Sequence, residues 1–127
     1  MLFTVESQKG LEEVCTKLQE AIVKRKFGVM AVHDLKATMA KKGVAFDREC
    51  RIFEVCNPHQ AKKVLEENAD ISTALPCRIS AYAEGEKTIL ATIRPTALMA
   101  IFQVHGLESV AQEVEASIIR IMEEAAA

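Results

Sequence analysis

The sequence holds no tryptophan and a single tyrosine, Tyr82, so it offers few flat rings on which the bases of a single strand could stack. It lacks an excess of one charge. Sixteen lysines and arginines against eighteen acids leave a formal −2, which argues against a general nucleic-acid surface. No apolar run reaches the ~18 residues of a membrane span. The opening Met1-Leu2-Phe3-Thr4-Val5-Glu6 has neither the basic start nor the long apolar stretch of a secretory signal. Cys15, Cys50, Cys56 and Cys77 form no Cys-x-x-Cys pair, and His33, His59 and His105 fall at no zinc-like spacing. Four reduced, mostly buried thiols in a cytoplasmic protein are therefore expected, with no metal and no cofactor. Gly-x-Gly-x-x-Gly, the P-loop and Gly-x-Ser-x-Gly are absent too, which removes the local signatures of dinucleotide, nucleotide and serine-hydrolase chemistry. No Pro/Gly/Ser-rich linker divides the chain, so residues 1–127 read as one domain.

Half of the residues are hydrophobic and 27% charged, the balance of a chain with a packed core. Residues 2–6 read as a strand. Ser7 is placed to cap a helix through about Lys26, with Leu11, Val14, Cys15, Leu18 and Ile22 along one stripe. Lys24-Arg25-Lys26 would complement the helix dipole in its last turn rather than bind phosphate. Phe27–His33 predicts a second strand, after which Asp34 caps a short helix that Gly43 ends in the left-handed conformation. A third strand covers about Arg48–Cys56, and since neither of its faces is wholly polar, one is expected to be functional or at an interface.

Asn57-Pro58 opens the next helix, to about Asn68, with Gln60 at the capping-box position. One further helical turn follows over 70–75. Cys77–Ala83 and Thr88–Ile93 then form a hairpin across Glu84-Gly85-Glu86-Lys87. Pro95 starts a helix that Gly106 breaks. The last helix, from Leu107 to the end, carries Val110, Ala111, Val114, Ile118, Ile121 and Met122 on a stripe so apolar that it needs a deep groove or a partner. The expectation is an α+β domain whose mixed, largely antiparallel sheet of about five strands is covered by helices.

The run Phe27-Gly28-Val29 … Asp34-Leu35 … Lys42-Gly43, then Val55-Cys56-Asn57-Pro58-x-x-Ala61 … Leu65, then Leu75-Pro76-Cys77-Arg78-Ile79 with Tyr82 and the Gly85 hairpin, resembles the domain-of-unknown-function 302 family. The likeness covers nearly the whole chain in order. It implies a small bacterial or archaeal α+β domain, often seen as a dimer, with no established activity. One departure is Arg94-Pro95, where many members carry a second Asn-Pro.

Chemistry concentrates in Cys56-Asn57-Pro58 and Pro76-Cys77-Arg78. A helix starting at Asn57-Pro58 presents amides and partial positive charge. An Arg78 aimed at the same spot could hold a carboxylate or phosphate there and lower the pKa of a thiol beside it. The plainer alternative has Asn57 capping, both cysteines packing and Arg78 paired with Glu54. Asp34 and Glu54 as an acid–base pair come second to a cap and an ion pair. Geometry separates the readings. A direct strand–helix–strand crossover makes the third and fourth strands parallel and parts Cys56 from Cys77. A return through the extra turn makes the strands antiparallel and brings the thiols together. Three functions stay open: an accessory module holding a small anionic ligand at Asn57 and Arg78, a thiol-dependent redox protein or enzyme using Cys56 and Cys77, and a structural homodimerisation module.

Overall fold

Backbone pairing decides the architecture in the computed structural model, which describes residues 1–127. Strands β1 (Leu2–Ser7), β2 (Gly28–Asp34), β3 (Cys50–Cys56), β4 (Cys77–Glu84) and β5 (Lys87–Ile93) form one sheet in the order β1-β5-β4-β3-β2. Every neighbouring pair is antiparallel, so the α+β fold with five strands contains no parallel pair. Helices α1 (Leu11–Lys24), α2 (Leu35–Lys41), α3 (Pro58–Glu67), α4 (Pro95–Phe102) and α5 (Glu108–Ala126) connect and cover it, with a 3₁₀ turn over Ala69–Ala74.

The first helix starts later than its sequence suggests. Ser7 is the last residue of β1, paired with Thr88 and buried. Its Oγ accepts from Lys9 N–H at 3.2 Å, while α1 follows Gly10 with no side-chain cap. Continuing the ladder with β5 takes Ser7 away from capping. The same helix ends two residues early, because Lys26 turns left-handed at φ 64°. Lys26 N–H then donates to Val23 O and Phe27 N–H to Ile22 O, the two bonds of a Schellman motif built without glycine.

Side chains of β1, β3, β4 and β5 meet α1 and α5 on one face of the sheet. Leu18, Ile22, Phe53, Val55, Ile79 and Leu90 are fully covered there. Ala111, Ile118, Ile121, Met122 and Ala125 of α5 are buried within the same chain, so the groove its stripe requires is supplied by α1 and the sheet. Burial by a partner is not needed for that helix. A smaller cluster gathers Val64, Ile71 and Leu107 around α3, the 3₁₀ turn and α4. Gln103, left-handed at φ 52°, ends α4 three residues before Gly106.

In the β4–β5 hairpin Glu84 pairs with Lys87 across Gly85-Glu86. Gly85 alone takes a positive φ, 63°, the pattern of a type II′ turn.

Candidate functional site

The chain leaves β3 at Cys56 and re-enters the sheet at Cys77, and what lies between decides the site. Helix α3 and the 3₁₀ turn carry the chain back to the end it left from, so β4 runs antiparallel to β3 with Cys77 opposite Val55. Cys77 therefore sits beside the strand end that Cys56 terminates. Cys56 and Cys77 both line one cavity, bounded by the ends of β3 and β4 and by α3, α4 and α5. Its volume is about 50 Å³, several times the roughly 10–15 Å³ that one water needs. Twelve of its fifteen lining residues are hydrophobic and none is charged.

Asn57 and Gln60 supply the cavity's polar groups besides the thiols. Asn57 Oδ1 accepts from the backbone N–H of His59 at 3.1 Å and of Gln60 at 3.3 Å, so it caps α3 with its own oxygen. The capping box is left open. Instead of reaching back to Asn57, Gln60 Nε2 donates to Glu113 Oε2 on α5 at 3.2 Å. That contact fixes the amide's orientation, since the flipped form would set its oxygen against a carboxylate. Gln60 Oε1 is consequently buried without a partner, an arrangement that native interiors mostly avoid.

Both thiols are held protonated. Burial first, and then the charge of Cys56, pushes the Cys77 thiol up to about 11, against a smaller lowering by a backbone hydrogen bond. Burial raises Cys56 as well. The lowered thiol pKa expected from a neighbouring guanidinium is thus reversed, because Arg78 is elsewhere. Cross-strand from Glu54, Arg78 alternates with the buried Ile79 and so projects from the opposite face of the sheet. It is 67% exposed, with Nη2 3.6 Å from Glu54 Oε2.

Glu54 also lies 2.7 Å, through Oε1, from His33 Nε2. The ion-pair alternative describes Arg78; the positive pole imagined between the α3 amides and its guanidinium is not assembled. Asn57 lines the cavity and Arg78 does not.

The remaining candidates keep structural roles. Asp34 Oδ1 accepts from Ala37 N–H at 3.0 Å and caps α2. Its strand partner is Arg51, three residues from Glu54, which places the two acids on opposite faces. His59 and His105 are exposed. Nowhere do three His, Cys, Asp or Glu side chains converge as for a metal ion.

At the departure Arg94-Pro95, α4 has no cap from its own N-terminal residue. Glu115 of α5 takes that role, accepting from Thr96 N–H at 3.2 Å and from its Oγ1 at 2.6 Å. Arg94 Nη1 stands 3.5 Å from the same carboxylate. Sequence reasoning missed Met99, which brings a third sulfur to the cavity; on an apolar helix its only signal is that of a core residue.

The family model described as "Domain of unknown function DUF302" matches residues 3–125. A crystal structure of an uncharacterized conserved protein DUF302 from Bacillus stearothermophilus is similar at a TM-score of 0.92 and 28% identity, over 98% of this chain and 97% of that one. No curated protein matches.

Proposed function

Because the chain belongs to the DUF302 family, whose fold it has and whose name carries no chemistry, we propose its function from the geometry: an accessory module that binds a small ligand, without catalysis of its own, in the cavity at the ends of β3 and β4. One observation carries the reading. Two strand ends and three helices converge on an uncharged, largely apolar space and leave it open, although interiors are ordinarily close-packed. The ligand is small and not an anion. Asn57 has spent its oxygen on the α3 amides, and the guanidinium that would balance a negative charge pairs with Glu54 on the far face.

The test is a thermal-shift series with benzyl alcohol, 1-butanol and inorganic phosphate. The alcohols raise the melting temperature by mass action, and Ala61→Leu, which fills the cavity wall, abolishes the rise. A shift with phosphate alone, lost in Arg78→Ala, would restore the anion site and overturn this reading.

A second reading rests on the adjacency of Cys56 and Cys77. The two thiols would give two electrons and two protons to a small disulfide such as oxidised glutathione, closing a protein disulfide and releasing two small thiols. Their raised pKa values slow the first attack. Mass spectrometry after such treatment would find the Cys56–Cys77 crosslink. We place the protein in the cytoplasm on the same thiols, since a reducing compartment keeps such a pair open. No helix is long and apolar enough to cross a membrane.

A further inference from the structure

We infer that the cavity takes a small apolar alcohol and that Gln60 Oε1 accepts the hydrogen bond from its hydroxyl. This rests on the cavity being the binding site and names the chemistry of what occupies it. Gln60 is anchored along its whole length. Its backbone N–H donates to Asn57 Oδ1 at 3.3 Å, and its side-chain Nε2 donates to Glu113, an exposed residue of α5. The planar amide thus turns its nitrogen outward. Its oxygen is left buried, on a residue that lines the cavity. No protein donor reaches that oxygen, the thiols of Cys56 and Cys77 included. A buried acceptor without a partner is costly, so the molecule that fits this cavity best is one that brings a donor.

The rest of the lining decides which donor. An ammonium group donates as well, but none of the lining residues is charged, and a cation buried without a counter-charge gives up its hydration for little in return. Carboxylates, ethers and ketones bring only lone pairs, which would face those of Oε1. A hydroxyl on an apolar body meets both conditions. It gives Gln60 one neutral donor and leaves apolar surface for Val64, Leu75, Leu98 and Val114.

Benzyl alcohol and anisole test the assignment, because they are isomers of nearly equal size and only the alcohol can donate. A cavity that takes apolar bodies alone ranks the ether first, since the ether gives up less hydration. In chemical-shift titrations of the wild-type chain, benzyl alcohol is expected to bind about tenfold more tightly than anisole. Gln60→Met keeps the length of the side chain, removes the acceptor and abolishes the preference. Glu113→Lys, at an exposed position, draws the amide oxygen to its ammonium and turns Nε2 toward the cavity. Anisole then finds a donor for its own oxygen, and the preference is again lost. This second variant decides where the first does not fold. Equal or tighter binding of anisole by the wild type, or a preference that survives either substitution, overturns the assignment. If both compounds bind alike, the acceptor role falls by itself; if neither binds, the cavity reading falls with it.

Discussion

Cys77 is the residue whose environment makes the sharpest solution prediction. Its thiol rises from about 9 to about 11 on folding, so between those values the folded chain holds a proton that the unfolded chain has lost. Stability conferred by the protonated thiol is complete below pH 9 and drains away as pH climbs toward 11. At about 1.4 kcal/mol per unit, the loss amounts to roughly 3 kcal/mol. Denaturant unfolding of wild type and Cys77→Ala across pH 8–11 checks it: the difference between the two proteins shrinks as pH rises, and a constant difference refutes the assignment.

Individual residues were legible in the sequence where their chemistry is local. Asn57 beside Pro58, Asp34 before a helix and Gly85 in a turn state their roles within a few positions. Arg78 and Met99 do not. The face of the sheet that Arg78 occupies depends on the parity of β4, and Met99 meets the two cysteines only once three distant segments close on one cavity.

Among the elements, α3 depends on the residue that precedes it. Asn57 Oδ1 satisfies two amides of the first turn, and the incomplete box gives no second bond in return. Asn57→Ala should cost about 1 kcal/mol, within the ~0.5–2 range for lost caps, read as a lowered denaturant midpoint with unchanged slope. No drop in midpoint would show that solvent replaces the oxygen without loss.

Element boundaries fail in the sequence for identifiable reasons. Ser7 has the chemistry of a cap, but the β5 ladder claims it. Lys26 looks like helix, yet its left-handed turn lets Phe27 enter the core beneath α1. The direction of β4 was open in the sequence for a deeper reason. A six-residue 3₁₀ turn decides between crossover and return, and its geometry is set by packing Ile71 against Val64 and Leu107.

At the scale of the whole molecule, α5 no longer argues for assembly, because its apolar stripe is spent on α1 and the sheet. The opposite sheet face has no helix laid across its centre, and there Leu2 is 61% and Ile93 43% exposed on the same rung of the β1–β5 ladder. Ala91, Ser80 and Ile52 continue the patch inward. Glu54 is bracketed by His33 and Arg78, and Glu6 is paired with Lys87, which offsets acids that would repel a like surface.

We propose a second copy of the chain as the occupant, since a mixed patch of this kind can pair with itself about a two-fold axis. Light scattering should then return the mass of two chains. Leu2→Lys with Ile93→Lys should return one, with an unaltered circular dichroism spectrum, because lysine is readily accommodated on a solvent-facing strand position near a sheet edge. A wild-type monomer at micromolar concentration, or a dimer indifferent to both lysines, would leave this face without the role assigned to it. The cavity argument would then stand unchanged, because Val55 and Cys77 face the other side of the sheet.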